Sequence, residues 1–149
     1  STAKVISAGT VNKDKKLDLQ VICDHSTPRT TSHQRIDHVA FENGSTTFNG
    51  RIHILEHASG CNAQLKNRSL AMGNETTINA KPELEIYNDD VQCSHGSTIG
   101  QIDETQLFYM RSRGIKEKEA HAILCEGFLR ETISGPLSAS ATSNLIPER

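Results

Sequence analysis

Between Asp89 and His95 the chain reads Asp-Asp-Val-Gln-Cys-Ser-His. Four side chains in this span can do chemistry. A thiol beside an imidazole is a nucleophile beside its base. Two carboxylates are the equipment of glycoside hydrolysis. A thiol and an imidazole are also metal ligands. Each use demands a different geometry. In an extended chain, residues two apart share a face about 6–7 Å apart, given the rise per residue. That is too far for direct proton transfer between Cys93 and His95 unless the chain turns there. It does let both face one external surface, where a metal ion or a partner can use them. Neighbouring Asp89 and Asp90 would point to opposite faces of a strand, so they could not flank one glycosidic bond. Stable zinc or iron–sulfur sites take three or four ligands, so one Cys and one His are an incomplete set. On these residues alone the span reads as a structural turn with a buried thiol. A carbohydrate-active β-solenoid enzyme and an autonomous metal-binding protein are the competing functions.

The remaining motifs narrow the field by exclusion. The glycines of "GSTIGQ" (96–101) lack the Gly-Lys-Ser/Thr of a Walker loop. No Gly-x-Ser-x-Gly elbow and no His-Glu-x-x-His helix occur. Cys23, Cys61, Cys93 and Cys125 stand 32 to 38 residues apart with no Cys-x-x-Cys pair, which argues against a zinc ribbon. They read as cytosolic thiols, each a small buried hydrophobe. The net charge of −2 offers no basic field for nucleic acid. There is no run of 18 apolar residues and no export signal, so the expected location is the cytoplasm.

The elements that must position Cys93 and His95 come from alternation. "LDLQVIC" (17–23), "RIDHVAF" (35–41), "RIHILEH" (51–57) and "ELEIYN" (83–88) alternate apolar and polar residues, the pattern of strands with one buried face. Turn-forming clusters at 42–45, 59–62 and 73–76 separate them. In "RIDHVAF", Ile36 sits opposite its charged neighbours. The scarcity of aromatics, 4% of the chain with no Trp, suits short strands with small interior side chains. The strands also repeat. "TTFNGRIHI" from Thr46 resembles "TTINAKPELEI" from Thr76, and "IHILEHASGC" from Ile52 resembles "LEIYNDDVQC" from Leu84. A fixed period of about 30 residues with no helix inside it predicts stacked coils, a β-solenoid.

After Gly100 the pattern becomes helical. Asp103 is an N-cap with Gln106 three residues on, and Gly114 takes the position after the helix end. A second helix from about Lys116 carries Ala120, Ile123, Leu124, Gly127 and Phe128 at amphipathic spacing. The expected organisation is a solenoid over 1–100, a helical hairpin over 101–133 and a mobile tail over 134–149.

From Lys81 to Phe128 the sequence resembles the SufB/SufD family of iron–sulfur cluster assembly scaffold proteins. The resemblance is carried by Pro-x-Leu-Glu-Ile (82–86), Asp-Asp-Val (89–91), Cys-Ser-His-Gly-x-Thr (93–98) and Phe-Tyr-x-Arg-Ser-Arg-Gly (108–114). Cys-Ser-His-Gly, where SufB-like chains tend to read Cys-x-x-Glu-His-Glu, places it nearest the SufD branch. The family implies a right-handed parallel β-helix followed by a C-terminal helical domain, in a non-catalytic subunit. It implies SufB as the partner at the end of the β-helix, with His95, and less strongly Cys93, facing the site where iron or a nascent cluster passes. It implies the ATPase SufC as the partner on the terminal helices, Asp103 to about Glu131. Leu107, Tyr109, Arg111 and Arg113 are the expected contacts there, because aromatic and Arg side chains lead interface energetics. The family's chain also has a preceding helical domain and more β-helix, so this sequence corresponds to its C-terminal part. The isolated chain is expected to hold no metal stably, since His95 would ligate only with a partner's ligands. An exposed solenoid end would also suit a homodimer.

Overall fold

A computed structural model describes residues 1–73 and 75–133. Among these residues are seven strands and two helices. The strands are β1 (Thr2–Val11), β2 (Lys16–His25), β3 (Thr31–Phe41), β4 (Ser45–Ile54), β5 (Cys61–Met72), β6 (Thr77–Ile86) and β7 (Val91–Gln101). The helices are α1 (Glu104–Ser112) and α2 (Glu117–Ile133). The expected tail, 134–149, lies outside the described residues.

Odd and even strands separate into two parallel sheets. One has the order β1-β3-β5-β7 and the other β2-β4-β6. The chain therefore winds as the β-solenoid that the repeat predicts, about three coils with two sheets facing each other. Register sets the true period. Lys16 lies opposite Ser45 and Ser45 opposite Thr77, steps of 29 and 32 residues. Ile52 pairs with Leu84, as the repeat in the sequence suggests. Thr46, however, pairs with Ile78 rather than Thr76. The slip is two residues, so every side chain keeps its face.

The interior forms between the sheets because inward positions are apolar. Ile36, Phe48, Ile52, Ile54, Ala63 and Leu65 are buried there. Gly50 is required by this packing. A Cβ on it would stand 2.5 Å from the Phe48 ring and 2.6 Å from Leu65, closer than any real contact. Burying side chains of this size contributes roughly 1.5–3 kcal/mol each. Thr46, His38, Asn67 and Ser69 are also buried.

Part of the outer face of the larger sheet is closed to solvent. Helix α2 lies across it, and Val39 and Met72 pack with Cys125, Leu129 and Ile133. The alternation in β3 correctly puts Arg35 and Asp37 opposite Ile36. Yet that opposite face is covered, so Asp37 is fully buried. The helix itself is rotated from its expected stripe. Ile123 is exposed, while Cys125, Leu129 and Thr132 are buried. Burial pushes the Cys125 thiol up to about 12, with Glu126 adding to the effect.

Candidate functional site

Cys93, Ser94 and His95 lie within β7, so the span is a strand and not a turn. Cys93 is opposite Ala63 of β5 and His95 opposite Leu65. Register partners in a sheet share a face, so Cys93 and His95 both point to the interior side. The interior ends there. The larger sheet has four strands and the smaller three, so among the described residues no strand of the smaller sheet faces β7 from beyond β6. Cys93 is consequently half-buried and His95 exposed. Ile99, on the same face, is 53% exposed, and a Cβ on Gly96 would meet nothing within 4 Å. Burial pushes the Cys93 thiol up, against a backbone hydrogen bond at Ala63 and with Cys61 adding to the rise. A protonated thiol is a poor nucleophile. Cys61 and Cys93 are not register partners, since Cys61 pairs with Val91.

Asp89 and Asp90 fall in the bend between β6 and β7, not on a strand, and both are exposed. The Asn88 carboxamide oxygen accepts from the Asp90 backbone N–H at 2.8 Å, which fixes the bend. The Asp90 carbonyl accepts from Gly60 N–H at 2.6 Å. These contacts are those of a loop held to its neighbouring coil.

The other histidines divide sharply. His25 is buried, with Nδ1 2.6 Å from the Thr30 hydroxyl and Nε2 2.8 Å from the Ser32 hydroxyl. His38 is buried, with Nδ1 3.0 Å from the Thr46 hydroxyl. Burial lowers the pKa of both, opposed by the adjacent carboxylates, so both are neutral parts of the core. His53 meets Asp24 at 3.1 Å and stands edge-on to Tyr87 on the outer surface. Among the described residues, no three His, Cys, Asp or Glu side chains converge as metal ligands would.

The helices present a second surface. Asp103 caps α1 as expected, its carboxylate accepting from the N–H groups of Thr105 and Gln106 at 2.9 and 3.4 Å. Gly114 has φ 89°, the left-handed geometry that ends the helix. Of the four expected contacts, Tyr109, Arg111 and Arg113 are exposed. The Arg113 guanidinium lies 5.0 Å from the centroid of the Tyr109 ring. Arg111 pairs with Glu117 at 3.5 Å. Leu107 is buried and serves the hairpin from within. Phe108, which spacing alone did not single out, is 73% exposed on the same helix. A large aromatic beside Tyr109 and two arginines was the available signal.

No helix among the described residues is long and apolar enough to cross a membrane. The family model of the SUF system FeS cluster assembly SufBD core domain matches residues 1–128. The iron-sulfur cluster assembly protein SufD of Escherichia coli (strain K12) is 37% identical over 131 residues, covering 88% of this chain and 31% of that protein. Protein ABCI7, chloroplastic, of Arabidopsis thaliana is 39% identical over 125 residues, 80% of this chain and 26% of its own length. The iron-sulfur cluster assembly protein SufB of Bacillus subtilis (strain 168) is 30% identical over 124 residues, 83% of this chain and 27% of its own. The chain thus spans less than a third of the length of these relatives. With its two-sheet solenoid, its terminal helix pair and a match running from residue 1 to residue 128, the chain belongs to the SufBD core family of SUF iron–sulfur cluster assembly.

Proposed function

We propose that this chain is the SufD-like part of a non-catalytic cytoplasmic scaffold, pairing with SufB at β7 and carrying SufC on its helices. One observation supports the reading above the others. His95 faces the interior side of the solenoid yet is exposed, and among the described residues β7 has a bonded neighbour on one side only. An imidazole there offers one ligand, and a second chain laid against the edge would supply the rest. Iron or a nascent cluster is then cargo passing between chains, held where His95 and partner thiolates meet. Cys93 is a weaker candidate, since its thiol is kept protonated by burial. Tyr109, Arg111 and Arg113, with Phe108, form the SufC-facing surface, and Leu107 supports them from beneath.

The test uses the full-length protein in cells that depend on it. His95→Ala should abolish cluster assembly while SufB and SufC still co-purify. Normal assembly in that variant removes His95 from the proposal. Loss of co-purification would make it an interface residue instead. Deleting 103–131 should abolish SufC capture and spare SufB, and retained SufC would remove the helices from the docking role. If the purified chain forms a homodimer that SufB displaces, both use the β7 edge.

A further inference from the structure

On the outer face of β3 and β5 the polar groups bind one another. Asp37 accepts from Arg35, Arg68 and the Thr132 hydroxyl, and both guanidiniums also meet Glu131. On the inner face one polar group is left over, at the edge of the sheet. Ile36, Asn67 and Ser97 stand in one register row across β3, β5 and β7. Asn67, in the middle of that row, is fully buried. Its Nδ2 donates to the Ile36 carbonyl at 3.2 Å, and its Oδ1 lies 3.1 Å from the Ser97 hydroxyl.

The row has a direction. The Ile36 carbonyl can only accept, so the end of the carboxamide turned to it is the nitrogen. The end turned to Ser97 is then the oxygen, which also can only accept. A hydroxyl carries one proton, and Ser97 donates it to Asn67. Turning the carboxamide over would set its oxygen against the carbonyl oxygen and leave buried groups unpaired. Ser97 Oγ therefore keeps only lone pairs for any other molecule. Ser97 is exposed, and among the described residues its strand has no bonded neighbour beyond it. It stands two residues from His95, on the same inward face of β7.

We infer that Ser97 is a fixed hydrogen-bond acceptor for the chain that covers the open end, with Asn67 as the positioning residue that makes it so. The group it recognises is a donor, an N–H of a backbone amide or of a basic side chain. An arriving carboxylate or carbonyl would meet lone pairs and be disfavoured, which is selection by an unfavourable contact. Residues two apart on a strand are about 6–7 Å apart. At that spacing Ser97 seats the partner beside the imidazole and does not share its ligand shell. The inference rests on the pairing with SufB proposed above, and adds the kind of group that the partner presents.

The dissociation constant of SufB for the full-length protein tests it. Ser97→Ala should weaken binding about tenfold, since the partner's donor is left buried and unpaired. Ser97→Thr keeps the hydroxyl and should bind within about twofold of wild type. Asn67→Leu releases the proton, so the hydroxyl is free to face the partner as a donor, and binding should weaken about threefold. Adding Asn67→Leu to Ser97→Ala should weaken binding no further, because Asn67 acts through Ser97. Hydrogen exchange across β3 and β5 checks that each variant is folded. If Asn67→Leu is not, the two Ser97 variants carry the test. Unchanged binding in Ser97→Ala, or an equal loss in Ser97→Thr, overturns the acceptor. So does Asn67→Leu binding as tightly as wild type or more tightly, the result expected of a partner that offers an acceptor. Failure of the wild-type protein to bind SufB removes the pairing itself, and the acceptor with it.

Discussion

Strands β3 and β7 are both 11 residues long, both lie in one sheet, and both bond to β5. Their fates differ. From Ile36 to Ala40 every residue of β3 is buried, while from Ser94 to Ile99 every residue of β7 is exposed. The difference is what lies against them. β3 has β1 and β5 at its edges, the smaller sheet inside and α2 outside. β7 has β5 at one edge and, among the described residues, no bonded strand at the other, and only its start, at Val91 and Cys93, packs against the core. The same residue type then takes two roles. His38 on β3 is neutral and bonded to Thr46, a piece of the core. His95 on β7 has the same inward orientation and is available to another molecule. Position in the coil, more than the local motif, separates a structural histidine from a candidate ligand.

The largest effects should come from the buried strand and its surroundings. Phe48→Ala should cost about 3–5 kcal/mol in denaturant unfolding, because the core cannot collapse around a lost ring. Asp37→Ala should cost about as much, roughly 3–5 kcal/mol, since it strips the shared partner from two guanidiniums. A loss under about 1 kcal/mol would mean that α2 is held by its apolar face alone. Leu129→Ala should follow at about 2–5 kcal/mol.

Acid should dismantle the same region in two stages. His25 and His38 have folded pKa values below 6.5, so the unfolded chain binds protons more readily. Their stabilisation is complete above that value and declines as pH falls below it. Glu131 is held at about 2, first by its hydrogen bond from Arg35 and then by the charges of Arg68 and Arg35. Its contribution is present above the ordinary value of 4.5 and is lost as pH falls toward about 2. Melting temperature against pH should therefore show a decline starting near neutrality and another below pH 4.5, with Glu131→Gln flattening the second. A single acid transition unaffected by that variant would contradict the pairing of Glu131 with Arg35 and Arg68.

The smallest effect is expected at β7. His95→Ala should change stability by no more than about 0.5 kcal/mol, because nothing packs on an exposed side chain. A cost above about 1 kcal/mol would erase the contrast with β3 and give His95 a structural role.

Much of this architecture could be read in the residues. Alternation and a period near 30 were enough for a solenoid, because each coil buries side chains through the same two-residue rhythm. Asp103 and Gly114 marked the ends of α1, because capping is local chemistry. What escaped depends on contacts distant in sequence. Asp37 meets Arg68 across 31 residues and Thr132 across 95, and neither spacing leaves a pattern. In α2 the Thr132 hydroxyl donates to Asp37, and Cys125 and Leu129 lie buried on the same side of the helix, so the buried stripe is not the one that apolar spacing picks out. Asp89 and Asp90 sit in a bend in which the Asn88 side chain accepts from the Asp90 N–H, a local turn chemistry that Asn before Asp-Asp carries. The Cys-Ser-His span reads as a turn in its residues and is a strand in the structure, and its openness follows from which sheet ends first, which no local pattern records.

That uneven ending, four strands against three, has a consequence for chemistry. A chain laid over that end, as proposed, would cover the inward face of β7 as the smaller sheet covers that of β3. Water would leave the space around Cys93 and His95 at the same moment, and polar contacts in a dry site are stronger than the same contacts in water. Assembly would thus set the medium of the site as well as its membership.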